Sequence, residues 1–213
     1  MIVIPCFESV AGDPVFSHTA LAMRRDNETS DESLMAAYRD SNDVGAFERL
    51  YRRHRGGLYR YLLRQCGSAA LAEELFQDVW LNVVRAKQAY VAEARFATYL
   101  YRVAHNRLVD HYRRSAHRPS IAVLGDEPDP MELIPADSDE QPEVSFEAKQ
   151  QVERFAQLLA VLPEAQREAF ILRAEAGLSI VEIAGATGVN EETAKSRLRY
   201  ALAKLRRGML ELV

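Results

Sequence analysis

The sequence predicts an all-α protein: two small helical domains joined by an acidic flexible linker, the C-terminal one a helix-turn-helix resembling a winged helix without its wing. Three features predict it. Apolar residues between Asp43 and Tyr112 recur at three- and four-residue steps, not in the strict alternation of a half-buried strand. Residues 119–148 hold nine acids and neither Lys nor Arg, a composition that solvates itself instead of packing. From Gly177 to Arg207 two short helical patterns meet at a tight turn, and the second closes on a run of cations.

The elements follow in order. The opening stretch MIVIPCFESVAGDPVF has no basic start and is interrupted by Pro5, Asp13 and Pro14, which disfavours a signal peptide. Residues 1–30 are expected to form a disordered leader, and Met23 is a second candidate start of translation. Ser33 to about Arg39 reads as a short helix. Asp43 caps the next, whose apolar positions are Phe47, Leu50, Tyr51, Leu58, Tyr61 and Leu62, and Gly67 and Ser68 punctuate it. From Ala69 to about Lys87 a third helix has Leu71, Leu75, Phe76, Val79, Trp80, Val83 and Val84 on one side. Glu73, Glu74, Gln77, Asp78 and Asn82 give its other side a strongly polar surface.

A loop, roughly Gln88 to Arg95, leads into FATYLYRVAHNRLVDHYRR. Phe96, Leu100, Val103, Ala104, Leu108 and Tyr112 can face inward there, while Arg95, Tyr99, Arg102, Asn106 and Arg113 fall near one outward line. Aromatic rings among cations suit a single nucleic-acid strand, because unpaired bases stack on rings while guanidinium groups follow the phosphates. The plainer reading of Tyr99 and Tyr101 is half-buried core with wet hydroxyls.

In the C-terminal segment Ser179 and Glu182 form a capping pair for a helix carrying Ile180, Ile183 and Ala184 to Thr187. Gly188 supplies a residue free to take positive φ, Val189 an apolar plug, and Asn190 a cap for the next helix. That helix sets Ala194, Leu198, Ala201, Leu202 and Leu205 inward. Six cations, Lys195, Arg197, Arg199, Lys204, Arg206 and Arg207, are left outward with no acid among them. A recognition helix presents its N-terminal half to base edges, so Glu192, Thr193, Lys195, Ser196 and Arg199 are candidates for base contact, with Arg197 beside them. The bland reading of these charges is a solvated helix face.

Charge is unevenly spread over the 213 residues. The formal net charge is −4, but residues 95–118 carry six Arg against the single acid Asp110. Cys6 and Cys66 cannot alone complete a tetrahedral zinc site and have no paired redox spacing, which points to a reduced cytoplasmic protein. His105 and His111 are six apart rather than four, and no phosphate-cradling glycine loop or nucleophile elbow occurs. The expectation is therefore no catalysis, no cofactor, no metal, no small-molecule substrate and no membrane insertion.

The order DVGAFERLYRRHRGGLYRYL, LAEELFQDVWLNVVR, FATYLYRVAHNRLVDHYRR, an acidic linker, then LPEAQREAFILRAEAGLSIVEIAGATGVNEETAKSRLRYALAKLRR closely resembles the extracytoplasmic-function (ECF) group of bacterial sigma factors, over about Ser33 to Arg207. The resemblance implies an initiation factor that binds core RNA polymerase and promoter DNA, with an anti-sigma factor as a further possible partner. It implies a leader over 1–30, a region 2 domain over 31–117, a linker over 118–150 and a region 4 domain over 151–213. On the family's motif, Gln77, Asp78 and Asn82 meet polymerase, with Trp80 as core support. Residues 87–96 form the base-selecting loop. Arg95, Tyr99, Arg102, Asn106 and Arg113 hold the melted −10 strand. Glu192, Thr193, Lys195, Ser196, Arg197 and Arg199 face the −35 duplex. The family commonly has Trp at Tyr99; the smaller ring still stacks. The rival reading is a stand-alone helix-turn-helix regulator, which leaves the Gln77 face and the Tyr/Arg helix without a task.

Overall fold

A computed structural model describes residues 29–116 and 146–210. The expected disordered leader and the acidic linker fall almost wholly outside these residues, as does Met23. Among the described residues there are eight α-helices and no strand: α1 (Asp31–Ser41), α2 (Val44–Cys66), α3 (Ala69–Arg85), α4 (Phe96–Ala116), α5 (Phe146–Ala160), α6 (Glu164–Glu175), α7 (Ile180–Thr187) and α8 (Glu191–Leu210).

The helix ends follow local chemistry. The Ser30 hydroxyl accepts the Ser33 N–H at 3.1 Å, so α1 begins two residues before the predicted start. Asn42 ends it in the left-handed conformation, and the Asp43 carboxylate then accepts the Ala46 N–H to open α2. Left-handed Gly67 closes α2, and Ser68 caps α3. Such caps satisfy backbone groups that a helix cannot pair internally. A single turn of 3-10 helix, Lys87–Ala89, starts the segment expected to be loop.

Helices α1 to α4 close around Leu34, Met35, Leu50, Leu58, Leu62, Val83, Phe96 and Leu100, all at most 1% exposed. Helices α5 to α8 share Leu159, Leu162, Ile171, Leu172, Ile183, Leu198 and Leu205. The two halves also pack on each other, α2 against α6 and α4 against α7.

Two inward assignments need correction. Leu202 is 45% exposed, because at about 100° per residue it lies roughly 70° around α8 from the middle of the stripe formed by Ala194, Leu198, Ala201 and Leu205. Tyr112 is 38% exposed; its hydroxyl donates to the Gln65 carbonyl at 3.1 Å, so only part of the ring is covered. Val103 faces inward as expected, partly buried against the core. Tyr101 takes the core reading fully, at 2% exposed. No helix among the described residues is long and apolar enough to cross a membrane.

Candidate nucleic-acid interface

Three surfaces carry the predicted site residues. The first lies on α3 and its groove with α2. Gln77 is exposed, while Asp78 and Asn82 are half-covered. Behind them Trp80 is buried against Tyr51 at 5.0 Å and Phe47 at 5.7 Å between ring centroids, a core position as expected. Its indole Nε1 is buried without a hydrogen-bond partner. The apolar side of α3 is not fully covered. Phe76, Leu81 and Val84 line an open groove with Phe47 and Tyr51, and Leu81 is 47% exposed. The sequence pattern had not assigned Leu81 a role; its signal is a large apolar residue one position outside the buried stripe.

The second surface is α4 and the segment before it. Arg102, Asn106 and Arg113 are exposed along one line, with Arg95 at its N-terminal end and Tyr99 half-buried between. Tyr99 packs edge-on against Tyr90 at 5.2 Å and tilted against Phe96 at 6.1 Å. Burial raises the Tyr99 phenol above its usual value, and raises that of Tyr90 to about 12. Both stay neutral at physiological pH.

The preceding loop is fastened to α1 by contacts that have no local sequence signature. Arg39 donates to the Tyr90 carbonyl at 2.8 Å, Gln88 donates to the Arg39 carbonyl, and the Lys87 ammonium sits 4.5 Å over the Tyr38 ring while donating to Asn42. Glu32 accepts the Phe96 N–H at 2.8 Å and so caps α4 from a distance of 64 residues in sequence.

The third surface is the helix-turn-helix. Ser179 and Glu182 form the reciprocal capping box, Gly188 turns at φ 67°, and Asn190 accepts the Thr193 N–H at 2.8 Å. Glu192, Thr193, Lys195, Ser196, Arg197 and Arg199 all line one concavity on α8. Gln166 of α6, Asn190 and Tyr200 complete it. Tyr200 escaped the sequence reading although it follows Ser196 by four residues and Thr193 by seven, one helical line. It is 51% exposed, and the Arg199 guanidinium lies 5.1 Å from its ring centroid. Lys195 reaches Glu192 at 3.7 Å, a loose pair between well-exposed side chains.

The surfaces do not converge on a reaction centre. Among the described residues no cluster of three His, Cys, Asp or Glu could hold a metal. The three surfaces differ chemically: an apolar groove with polar flanks, a line of aromatic rings and cations, and a basic helix face.

Two family descriptions match the chain. The family description "Sigma-70 region 2" matches residues 50–118, and "Sigma-70, region 4" matches residues 153–205. The ECF RNA polymerase sigma factor RpoE of Cereibacter sphaeroides is 34% identical over 181 residues, covering 83% of this chain and 93% of that protein. The chain belongs to the ECF sigma factors. It directs promoter-specific initiation of transcription, and the family is not an enzyme class. Sigma factor CarQ of Myxococcus xanthus is 32% identical over 180 residues, covering 84% of this chain and 98% of its own. Among solved structures, CnrH in complex with the cytosolic domain of CnrY superposes with a TM-score of 0.59 at 22% identity, over 84% of this sigma factor and 96% of that chain. RpoE in complex with the anti-sigma factor NepR from Bartonella quintana also gives 0.59, at 19% identity, over 78% and 96%. At those identities the likeness is one of fold.

Proposed function

We propose that this sigma factor works through two DNA-binding domains and one polymerase-binding face. Region 2 spans 31–117, region 4 spans 151–213, the acidic linker 118–150 joins them, and residues 1–30 form a leader. Gln77, Asp78 and Asn82 present polar contacts to core RNA polymerase around the apolar groove, where Leu81, 47% exposed, supplies an apolar surface and Trp80 supports it from the core. Arg95, Tyr99, Arg102, Asn106 and Arg113 hold the non-template strand of a melted −10 element, with the anchored loop 87–96 selecting its bases. Glu192, Thr193, Lys195, Ser196, Arg197 and Arg199 read the −35 duplex, with Tyr200 offering a ring edge to base methyl groups or sugars.

The observation that carries the reading is the joint presence of the three surfaces in one chain of this family. The strand line lies beside a loop braced at several points, so capture of flipped bases meets a preformed surface. Binding them offsets unstacking costs of a few kcal/mol. Polymerase supplies the chemistry; the chain itself acts without cofactor or catalysis, in the cytoplasm. RpoE of Bartonella quintana, which shares the fold, was solved with the anti-sigma factor NepR, and an anti-sigma factor is proposed as a further partner here.

Transcription in vitro from a promoter library, with core polymerase alone and with the protein added, tests the reading. New start sites sharing two spaced elements are expected, and Leu81→Asp should lower affinity for core at least tenfold while leaving the helical spectrum unchanged. A protein that gives no start site and does not bind core would refute it.

A further inference from the structure

The three surfaces leave α1 without a task. Two of its polar side chains, Glu32 in the first turn and Arg39 in the last, are seven residues apart and therefore lie on one face, two turns of helix from each other. Each holds one end of the segment that leads into α4. Arg39 donates to the Tyr90 carbonyl at 2.8 Å, and the Glu32 carboxylate accepts the Phe96 N–H at 2.8 Å, so the segment runs back along α1 from its last turn to its first. Residues 91–95, between the two contacts, are all exposed.

Both contacts supply what the local sequence lacks. Residues 90–96 contain no Ser, Thr, Asp or Asn to take the free N–H groups at the start of α4, so Glu32 provides the acceptor, with a charge that suits a helix N-terminus. Arg39 is oriented by its neighbour. Asp40 accepts from its Nε at 2.7 Å and its Nη2 at 3.0 Å, a two-point grip that leaves Nη1 for the Tyr90 carbonyl. The same two anchored residues carry the rings behind Tyr99. Tyr90 and Phe96 are both buried, and Tyr99 packs on them at 5.2 and 6.1 Å between centroids. His54 of α2, itself bonded to Asp31 of α1, packs on Phe96 at 5.2 Å. The ring offered to an unpaired base thus stands on two residues whose backbones α1 fixes.

The distances make α1 a spacer. At about 1.5 Å per residue, Glu32 and Arg39 are rooted roughly 10 Å apart along the helix axis. The chain from Tyr90 to Phe96 takes six steps, about 20 Å if fully extended. A segment about twice as long as its span must arch outward, and fixing both ends limits the arches open to it.

We propose that Glu32 and Arg39 are positioning residues for −10 recognition: together they set the span of the base-selecting loop and the seat of Tyr99, without either side chain contacting a base. The proposal rests on the assignment of residues 87–96 and Tyr99 to the melted −10 strand. A loop released at either end samples many arches, and ordering it on DNA costs affinity that a fixed loop keeps. The loss falls mainly on the cognate base, whose contacts need the right arch. A shared clamp also differs from two independent contacts. Separate sites without common partners ordinarily give additive effects, whereas freeing one end of the loop already frees it, so removing the second contact adds little.

Full-length Glu32→Ala, Arg39→Ala and the double variant, each assembled with core polymerase, test this on a promoter from the library and on its single-base −10 variants. Each single variant should lower the ratio of initiation from the cognate over the substituted promoter about fivefold or more. The double variant should match the worse single within about twofold. Glu32→Gln, which keeps a carbonyl acceptor for the Phe96 N–H, should retain most of the discrimination. Affinity for core, and for the −35 duplex once assembled, should stay within about twofold of wild type throughout, which a misfolded N-terminal half would not allow. Should Glu32→Ala fail to bind core, Arg39→Ala decides alone, because Arg39 lies outside the buried core.

Wild-type discrimination in Arg39→Ala, or a double variant showing the product of the two single losses, would overturn the clamp. A glycine loop, Val91→Gly/Ala92→Gly/Glu93→Gly/Ala94→Gly, separates that failure from failure of the reading beneath it. If the glycine loop also keeps the wild-type −10 preference, residues 87–96 do not select bases, and the loop assignment falls together with the clamp. If it loses the preference while Arg39→Ala keeps it, only the clamp falls.

Discussion

Removing the three basic side chains that line the α8 concavity should change how promoter binding responds to salt. Lys195, Arg197 and Arg199 face the same surface as Thr193 and Ser196, and the nearest acid to Lys195, Glu192, is too loosely paired to neutralise it. Each cation that displaces a counterion from B-form DNA contributes about 0.9 to the slope of log affinity against log salt. Between 50 and 200 mM salt one contact therefore changes affinity about 3.5-fold, and three contacts about 40-fold. The triple variant Lys195→Ala/Arg197→Ala/Arg199→Ala, assembled with core polymerase, is expected to bind an upstream duplex carrying the −35 element with a slope shallower by about 2.7. Fluorescence anisotropy of a labelled duplex across that salt range measures it. A slope and an affinity both equal to those of wild type would mean that these side chains do not meet the DNA, and the assignment of α8 to the duplex would fail. A loss of affinity at unchanged slope would place them on bases alone.

Two further outcomes follow from the same geometry. Gly188→Ala should destabilise the C-terminal half by about 1 kcal/mol, since a Cβ there meets nothing within 4 Å and only the positive φ opposes it; Gly188→Asn should cost less, and urea midpoints compare the two. Stability should fall in acid through Asp31 and Glu182. Burial raises the Asp31 carboxyl, but His54 and Arg53 outweigh it, and both carboxyls are held below their ordinary values. Each takes up its proton more readily in the unfolded chain. Their contribution is complete above the usual carboxylate range near pH 4 and drains away as pH falls through the lower folded values. Urea midpoints from pH 6 to 3 should decline for wild type, and less steeply below pH 4 for Asp31→Asn.

Local chemistry made much of the architecture legible in the sequence. Asp43, Ser68, Ser179 and Asn190 mark helix starts because a side-chain oxygen beside a free N–H stabilises a helix wherever it occurs, and Gly67 and Gly188 mark ends because positive φ suits them. The cation run on α8 and the Tyr/Arg line on α4 were equally readable, since residues at helical spacing share a face regardless of what packs behind them. Such reasoning failed at Leu202 and Tyr112, where the width of the buried stripe depends on which neighbours cover it.

The sequence by itself determined the helices, their caps, the family and the chemical character of each surface, all of which depend on interactions within a few turns of chain. Tertiary structure alone decided what those surfaces touch. Local spacing marks neither Glu168 nor Glu175, and marks Glu182 only as a helix cap, until α6 and α7 are laid on α2 and α4, with partners 63 to 115 residues distant. Glu32 capping α4 and Arg39 bracing the loop at Tyr90 are of the same kind. Spacing along one helix cannot encode a partner that arrives from another; it is packing of the apolar faces that brings such charges together.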